Sequence, residues 1–342
     1  MSARLAGKSA WAALVLAVTV SSNAGAAETK INFTLDRALE GPAAPFLLPL
    51  ETGWYKAEGL NVGVEPATGP DEPITRVASG VFDMGFADIN ELIKYRDANP
   101  QAPLQAVFIV YNRPAYAVIG RKSRGINVPK DLEGKKLGAP VGDAAFAQWP
   151  IFVKATGIDG SKVKIENVGF AVREPMLAAG QVDAVTGLSY SFYINLKDKG
   201  VPIDDVVVMM MANYGVDLYG KAIIVNTKFA AGHPEAVRGF LRAFLKALKR
   251  TIRAPAGAVD VVLKRDDTIK KDLEIERLKM VIRDNIVTPE VKARGLGGVD
   301  PDRFARAIDE LALTYKFKNG KPKLGDIFEA SYLPPEPERR ID

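Results

Sequence analysis

The chain has 342 residues, 47% of them hydrophobic and 25% charged, a balance typical of globular proteins and a length that suits about two domains. It contains no cysteine, which excludes disulfides, thiolate metal sites and cysteine nucleophiles. The formal net charge is +5, and the basic residues are interspersed with acidic ones, so the sequence does not indicate a nucleic-acid-binding protein.

The first 27 residues have the pattern of a signal peptide. Arg4 and Lys8 precede an apolar run over residues 10–20, and small residues follow at 24–26. The run is about half of the roughly 20 residues that a membrane span needs. No cysteine lies at the cleavage site for a lipid anchor. We therefore expect cleavage near Ala27, localisation to the periplasm and no membrane insertion.

Short runs of β-branched and apolar residues alternate with helical patterns along the rest of the chain, which predicts an α/β fold with parallel sheets. The predicted strands cover residues 30–35, 60–65, 83–86, 106–111, 115–120, 136–139, 164–168, 184–187, 206–211 and 222–226. Apolar residues at helical spacing predict helices over residues 234–253, 272–285 and 300–315. The prolines of residues 333–337 predict a stiff tail outside any helix or central strand.

A weak internal repeat links two parts of the chain. Residues 77–85 (VASGVFDMG) and 177–185 (LAAGQVDAV) each read as a helix end, a terminating glycine, a turn and a strand that begins with aspartate. Two such corners predict two similar lobes. Because ligands bind beyond the carboxyl ends of strands in open α/β sheets, we expect the loops at residues 87–90 and 187–190 to face one cleft.

The order of these pieces, with two longer motifs, resembles a known family. The first strand at residues 32–36 (NFTLD) and the segments at 53–62 (GWYKAEGLNV) and 131–138 (DLEGKKLG) carry the resemblance. They are similar to segments of the bacterial solute-binding proteins that serve nitrate, sulfonate, taurine and thiamine-precursor importers. This family shares its domain with eukaryotic thiamine-pyrimidine synthases.

The resemblance implies a two-lobed periplasmic-binding-protein clamp of type II. Two crossing segments would join the lobes, near residues 111–116 and 219–224. Lobe one would comprise residues 28–114 and 222–342, and lobe two residues 115–221. The clamp would close on its ligand by a hinge.

The function that the resemblance implies is solute capture for an ABC-type importer. We predict a monomer that is not an enzyme, that has no cofactor and no metal, and whose partners are a small-molecule ligand and a membrane permease. A ligand-sensing receptor subunit and a synthase-like enzyme are the alternatives. The synthases of the family use a cysteine cluster and a histidine, whereas this chain has no cysteine and a single histidine, His233.

The ligand class stays open because the chain departs from each branch of the family. The thiamine-precursor branch has a tryptophan after the first-strand aspartate, where this chain has Arg37. The sulfonate and nitrate branches have a Gly-Ser type turn after the second strand. Here residues 69–73 read GPDEP, and the two carboxylates would occupy or repel the positive end of the next helix. The ligand is thus either a sulfonate-, nitrate- or taurine-like anion or a pyrimidine-type or aromatic solute.

The candidate ligand contacts are side chains at strand ends and helix starts, namely Asp36, Arg37, Phe46, Asp88, Asn90, Asp143, Arg173, Tyr190 and Tyr214. Arg37 would bind a carboxylate or sulfonate through two parallel hydrogen bonds, or would pair with Glu40 at the surface. Asp36 would accept a hydrogen bond from the ligand, orient Arg37 or cap the next turn. Phe46 would be a stacking platform or a core residue.

The other candidates also have two interpretations each. Asp143 would cap a helix in lobe two or contact the ligand. Arg173 would reach the cleft, form an ion pair with Glu174 or lie at the surface of the lobe. Tyr190 and Tyr214 would offer a flat face and a hydroxyl to the ligand, although some of the tyrosines in this region must belong to the core.

Overall fold

A computed structural model describes residues 28–69 and 72–341. The predicted signal peptide lies outside the described residues. Within them, ten strands form two five-stranded sheets. The strands are β1 Thr29–Thr34, β2 Leu60–Glu65, β3 Met84–Asp88, β4 Leu104–Ile109, β5 Tyr116–Arg121, β6 Lys136–Ala139, β7 Lys164–Asn167, β8 Ala184–Leu188, β9 Val206–Met210 and β10 Lys221–Asn226.

The two sheets have the same strand arrangement. The order is β2-β1-β3-β10-β4 in the first sheet and β7-β6-β8-β5-β9 in the second. In each sheet the first three strands are parallel, and the fourth runs antiparallel to both neighbours. The predicted α/β class, the two-lobed clamp and all ten strands are confirmed. The residue limits of the lobes stay a prediction.

The expectation of purely parallel sheets was wrong for one strand in each sheet. Strand β10 arrives from the second sheet and enters the first one at the edge where the parallel strands end, so that Lys221 pairs with Asp88. It must therefore run in the opposite direction. Strand β5 enters the second sheet in the same way, with Tyr116 paired to Leu188.

Helices cover and connect the two sheets. The α-helices are α1 Ala44–Glu51, α2 Trp54–Ala57, α3 Glu72–Ser79, α4 Ile89–Ala98, α5 Ala144–Ala147, α6 Trp149–Thr156, α7 Arg173–Ala179, α8 Ser189–Asp198, α9 Thr227–Gly232, α10 Pro234–Arg253, α11 Pro255–Leu263, α12 Lys271–Val281, α13 Pro289–Arg294, α14 Pro301–Leu311, α15 Leu324–Ile327 and α16 Glu336–Arg339. Helix α10 has its predicted limits, and α12 continues into a π-helical turn at Ile282–Ile286. Among the described helices, none combines the length and the apolar character that crossing a membrane requires.

The two repeated corners have the same backbone. Helices α3 and α7 end at glycines in the left-handed region, with φ of 79° at Gly80 and 72° at Gly180. Asp83 then accepts a hydrogen bond from a backbone N–H of β1 at 2.7 Å, and Asp183 accepts one from β6 at 2.9 Å. Each aspartate thus ties the start of one parallel strand to its neighbour, and the repeat read from the sequence is confirmed.

The proline-rich tail contains one helical turn, so the prediction that no helix forms there was wrong. Pro337 lies in the first turn of α16, where a backbone N–H would have no helical partner in any case. Arg339 holds the turn against the body of the protein, because its Nη1 donates to the carbonyl of Leu296 at 2.7 Å.

Two segments pass between the sheets: residues 110–115 join β4 to β5, and residues 211–220 join β9 to β10. The second crossing ends earlier than predicted, because β10 is already a buried strand from its first residue. Arg303 on α14 binds both crossings. Its Nη2 donates to the carbonyl of Asn112 at 2.9 Å and to that of Leu218 at 2.8 Å.

The core of lobe one is rich in aromatic rings. Phe33 on β1 lies 5.1 Å from both Phe46 and Phe240, and Phe46 lies 4.7 Å from Phe244, measured between ring centroids. Burial of each ring contributes roughly 1.5–3 kcal/mol. This packing holds α1 and α10 against the first sheet and so fixes the loop that follows β1.

Candidate functional site

A cavity of about 510 Å³ lies between the two sheets, at the carboxyl ends of their parallel strands. Lobe one contributes the loops after β1 and β2, the end of β3 with the start of α4, and the first residue of β10. Lobe two contributes the loops after β6 and β7 and the end of β8. The lining residues are Asp36, Arg37, Ala38, Pro66, Ala67, Thr68, Gly69, Asp88, Glu91, Gly142, Asp143, Ala144, Phe170, Arg173, Leu188 and Lys221. Corresponding loops of the two lobes therefore face the same space.

Asp36 lies between two cations just after β1. Arg37 Nε donates to its carboxylate at 3.1 Å, and Lys221 Nζ forms a close ion pair with the same oxygen. Burial acts to raise the pKa of Asp36, but Lys221 and Arg37 outweigh it and hold that pKa below its usual value. Arg37 Nη1 also donates to Ser191 Oγ at 2.9 Å, whereas its contact with Glu40 is long at 3.9 Å. Arg37 thus bridges the two lobes.

A second pair of carboxylates lines the cavity at the start of α4. Asp88 caps the helix and accepts a hydrogen bond from the Tyr116 hydroxyl at 2.5 Å. Glu91 accepts from the Tyr315 hydroxyl at 3.1 Å and from Lys94, a half-exposed cation, at 3.3 Å. Burial raises the pKa of both carboxyls, and repulsion by Asp88 raises that of Glu91 further.

Asp143 and Arg173 form an ion pair on the wall that lobe two contributes. Arg173 Nη1 lies 3.1 Å from Asp143 Oδ2, and the same oxygen accepts from the Thr186 hydroxyl at 2.6 Å. Asp143 also caps α5 by accepting from the backbone N–H of Ala145 at 3.4 Å, so its predicted capping role is confirmed. The predicted pairing of Arg173 with Glu174 was wrong, because Asp143 is the carboxylate in contact with Arg173.

Tyr190 lies next to the cavity, in a narrow space that it shares with Phe86 and Tyr111. The Tyr190 hydroxyl accepts a hydrogen bond from Lys221 Nζ at 3.3 Å, and its ring centroid is 5.7 Å from the Arg37 guanidinium carbon. The narrow space measures about 10 Å³, enough for about one water. Asp36, Arg37 and Ala38 border both spaces.

Besides Tyr190, which only borders the neighbouring space, three further predicted residues lie away from the cavity wall. Phe46 belongs to the aromatic core of lobe one. The ring of Tyr214 packs edge-on against Phe152, with 5.7 Å between the centroids. Asn90 is buried beneath the wall, where its amide donates to Asp88 at 3.1 Å. Asn90 therefore positions Asp88, and the other two residues hold the scaffold.

Sequence reasoning missed Lys221 and Glu91. Lys221 opens a fully buried strand, and a lysine directly before an apolar run was the available signal. Glu91 lies three residues after Asp88, which places both side chains on one face of α4. This spacing could be recognised in the sequence once Asp88 was a candidate site residue.

In the acidic turn after β2, Glu72 is the first residue of α3, and its carboxylate binds the loop before the helix. The Glu72 carboxylate accepts hydrogen bonds from the backbone N–H and the hydroxyl of Thr68, at 2.5 Å and 2.9 Å. It also pairs with Arg76. Asp71 lies outside the described residues.

The side chains that line the cavity offer charge, hydrogen bonds and apolar contact to a bound molecule. In the described parts of the chain, no group of three or more histidine, cysteine, aspartate or glutamate side chains is arranged to hold a metal ion. The side chains that line the cavity are carboxylates, cations and apolar groups.

Comparison with known proteins finds a matching family model and several related sequences. A family model described as NMT1/THI5 like matches residues 42–258. A formylaminopyrimidine-binding protein of Halalkalibacterium halodurans is 27% identical over 68% of this chain and 71% of its own length. A 4-amino-5-hydroxymethyl-2-methylpyrimidine phosphate synthase of Schizosaccharomyces pombe is 26% identical over 62% of this chain and 64% of its own length.

The fold is also similar to solved structures. The periplasmic aliphatic sulphonate binding protein SsuA of Escherichia coli superimposes with a TM-score of 0.70, covering 90% of this chain and 94% of that chain at 13% identity. At this identity the similarity establishes the periplasmic-binding-protein fold alone.

Proposed function

This chain belongs to the NMT1/THI5-like family, and we propose that it is the periplasmic solute-binding subunit of an ABC-type importer. The observation that carries the proposal is the cavity between corresponding strand-end loops of two like sheets. Ligand contacts with both walls would stabilise the closed clamp relative to the open one. The proposed partners are a small organic ligand and a membrane permease, and the proposed state is a monomer.

The proposed ligand is a planar, pyrimidine-type molecule. A cavity of about 510 Å³ suits an organic molecule with a ring, whereas nitrate would fill only a small part of it. The name of the Halalkalibacterium halodurans relative supports the pyrimidine class over a sulfonate. The apolar side chains of Phe170 and Leu188 would contact the faces of such a ring.

The proposed binding residues are drawn from both walls of the cavity. They are Asp36, Arg37, Asp88, Glu91, Asp143, Arg173 and Lys221, with Tyr190 beside them. The proposed lobes are residues 28–114 with 222–342 and residues 115–221, as expected from the sequence. The crossings at 110–115 and 211–220 would form the hinge between them.

Thermal melting of the chain from residue 28 onward, with a panel of solutes, tests this proposal. The panel comprises aminopyrimidines, flavins, aromatic acids, aliphatic sulfonates and nitrate. A ligand at 100 times its Kd stabilises the folded state by roughly 2.7 kcal/mol, which a melting curve resolves easily. Ala144→Trp, which fills the cavity, should abolish the shift. The matched control Ala98→Trp, at an exposed position on α4, should retain it.

Pyrimidine synthesis is the second candidate function, because the Schizosaccharomyces pombe relative is named as a synthase. The chain has no cysteine, and the cavity wall as described contains no histidine. Product analysis during incubation with the same solutes distinguishes the two functions. Capture requires that the solute be recovered unchanged. Turnover of a solute that never raises the melting temperature would contradict the binding function.

A further inference from the structure

The ionisable groups that line the cavity comprise the four carboxylates Asp36, Asp88, Glu91 and Asp143 and the three cations Arg37, Arg173 and Lys221. Every one of these cations already contacts a carboxylate of the wall. Arg37 and Lys221 both pair with Asp36, and Arg173 pairs with Asp143. An incoming anion would have to compete with these ion pairs.

Asp88 and Glu91 are the carboxylates outside those pairs. Their strongest bonds are to neutral hydroxyls, those of Tyr116 and Tyr315. Among the residues that the structure describes, the ion-pair partner of Glu91 is Lys94, whose side chain is 52% exposed and whose attraction water therefore screens. The two acids lie three residues apart on one helix face, so each disfavours ionisation of the other. Lys221 attracts Asp88, but its ion pair is with Asp36, so among the described residues neither acid has a buried ion-pair partner.

We infer that the cavity takes a ligand whose N–H donors, on an amidine-like or other cationic edge, meet Asp88 and Glu91, and that it discriminates against anions. The inference rests on the proposed function, since it names the ligand class of the same cavity. Charge-assisted hydrogen bonds from such an edge would neutralise both carboxylates at once. An anion would instead add negative charge to a wall whose residues already sum to −1, from four acids and three bases.

The rest of the wall is consistent with a flat ring behind that edge. Pro66 and Ala67 from lobe one and Phe170 and Leu188 from lobe two present apolar surface to the cavity. A planar ligand would bury its faces there while its N–H edge reaches α4. The three internally paired cations would then serve to fix the geometry of the wall.

Three probes with one ring and different charged groups isolate the effect of charge: benzamidine, benzoate and benzenesulfonate. Calorimetric titration or ligand-observed NMR at matched millimolar concentrations measures their affinities for the parent chain. We expect benzamidine to bind at least about tenfold more tightly than either anion, because the amidinium forms charge-assisted hydrogen bonds with the two acids and the anions are repelled by them.

Two isosteric variants assign the effect to the acids. Glu91→Gln and Asp88→Asn should each weaken benzamidine binding by roughly tenfold. Asparagine also caps helices well, so Asp88→Asn keeps α4 intact. Asp309→Asn, at a site that is 68% exposed and away from the cavity, is the matched control and should leave the affinity unchanged. Melting curves of each variant verify that it folds.

Tighter binding of benzoate or benzenesulfonate than of benzamidine would overturn the inference and leave solute capture standing. Failure of benzamidine to bind the folded parent chain would also overturn it. The proposed function is decided separately, by the wider solute panel. Equal loss of benzamidine affinity in the Asp309→Asn control would show that the effect does not come from the cavity.

Discussion

Asp88 and Glu91 are carboxylates that the folded chain holds at a cost. Each loses water on folding and gains a hydroxyl partner. Lys221 attracts Asp88 but forms its ion pair with Asp36, and burial still raises the pKa of both groups. Asp36, in contrast, lies between Arg37 and Lys221 and has a lowered pKa. Acids that destabilise the fold are typical of places where a ligand supplies the missing partner.

Glu91→Gln should therefore stabilise the ligand-free protein at pH 7. A carboxyl whose pKa is higher in the folded than in the unfolded state binds protons more strongly when folded. Its contribution to stability then falls as pH rises from the ordinary value of 4.5 through the raised folded pKa. The groups that face Glu91 are Asp88, Lys94 and Tyr315, and glutamine can still accept from the tyrosine.

Urea unfolding at several pH values measures this effect. The gain in the free energy of unfolding should be present at pH 7, should shrink as pH falls from the raised folded pKa towards 4.5, and should be absent well below 4.5, where Glu91 is protonated in both the folded and the unfolded chain. Glu235→Gln, at an exposed position on α10, is the control for the same chemical change. A loss of stability at pH 7 in the Glu91→Gln protein would contradict the assignment.

At the residue scale, position at the end of a strand predicted well which residues line the cavity, whereas residue type predicted this poorly. Asp36, Arg37 and Asp88 follow parallel strands directly, and the structure brings all three to the cavity. Phe46 and Tyr214 were chosen as aromatic residues that suit a ligand, and both pack in cores. Which face of a helix is buried depends on contacts with distant elements, so a single aromatic residue carried no such information.

At Gly187, strand β8 packs closely against α8, the helix that follows it. A Cβ at this position would overlap the ring of Phe192 on α8. Gly187→Ala should lower the free energy of unfolding by about 1–3 kcal/mol through overpacking. Denaturant titration with an unchanged m-value is the measurement.

Gly63→Ala on β2 is the matched control, because it is also a strand glycine. Apart from its two chain neighbours, no described residue has an atom within 4 Å of the place that its new methyl group would take. Its stability should stay within about 0.5 kcal/mol of the parent. Equal losses at the two positions would show that strand glycines are sensitive in general. The contact with Phe192 would then not explain the result.

Elements with a strong periodicity of apolar residues were predicted well. Elements whose direction or limits depend on contact with a distant part of the chain were not. Helix α10 has its predicted limits because its apolar stripe and its N-terminal proline are local signals. The direction of β10 and the single turn of α16 depend on where the chain arrives in space. The local sequence does not encode the position and direction in which these segments meet the rest of the protein.

At the scale of the whole molecule, Arg303 links the two crossing segments, because its buried side chain contacts both of them. It donates to backbone carbonyls of Asn112 and Leu218, and its remaining N–H groups meet Asp217, Glu290 and the Asn112 side chain. The guanidinium carbon also lies 4.1 Å from the centroid of the Tyr219 ring. A planar group with five donors satisfies this many fixed acceptors, and a lysine would not.

Arg303→Met should lower the free energy of unfolding by about 3–5 kcal/mol, because it removes the cation that pairs with partly buried Glu290 and leaves two crossing carbonyls without their donor. Arg303→Lys keeps the charge and should lose less. Chemical denaturation measures both changes. Arg306→Met, about one turn further along the same helix and 61% exposed, is the control and should change stability little. Equal effects at the two positions would contradict a special role of Arg303.

The position of β10 between β3 and β4 also governs the order in which the chain can assemble. Ala222 pairs directly with Ile109, so the first sheet stays divided until the chain has travelled through the whole second sheet and returned. Strands β5–β9, by contrast, follow one another without interruption. Closing the longer loop costs more chain entropy and slows the step that requires it. The second lobe can thus fold as a unit, whereas the first lobe is completed only when β10 joins its sheet.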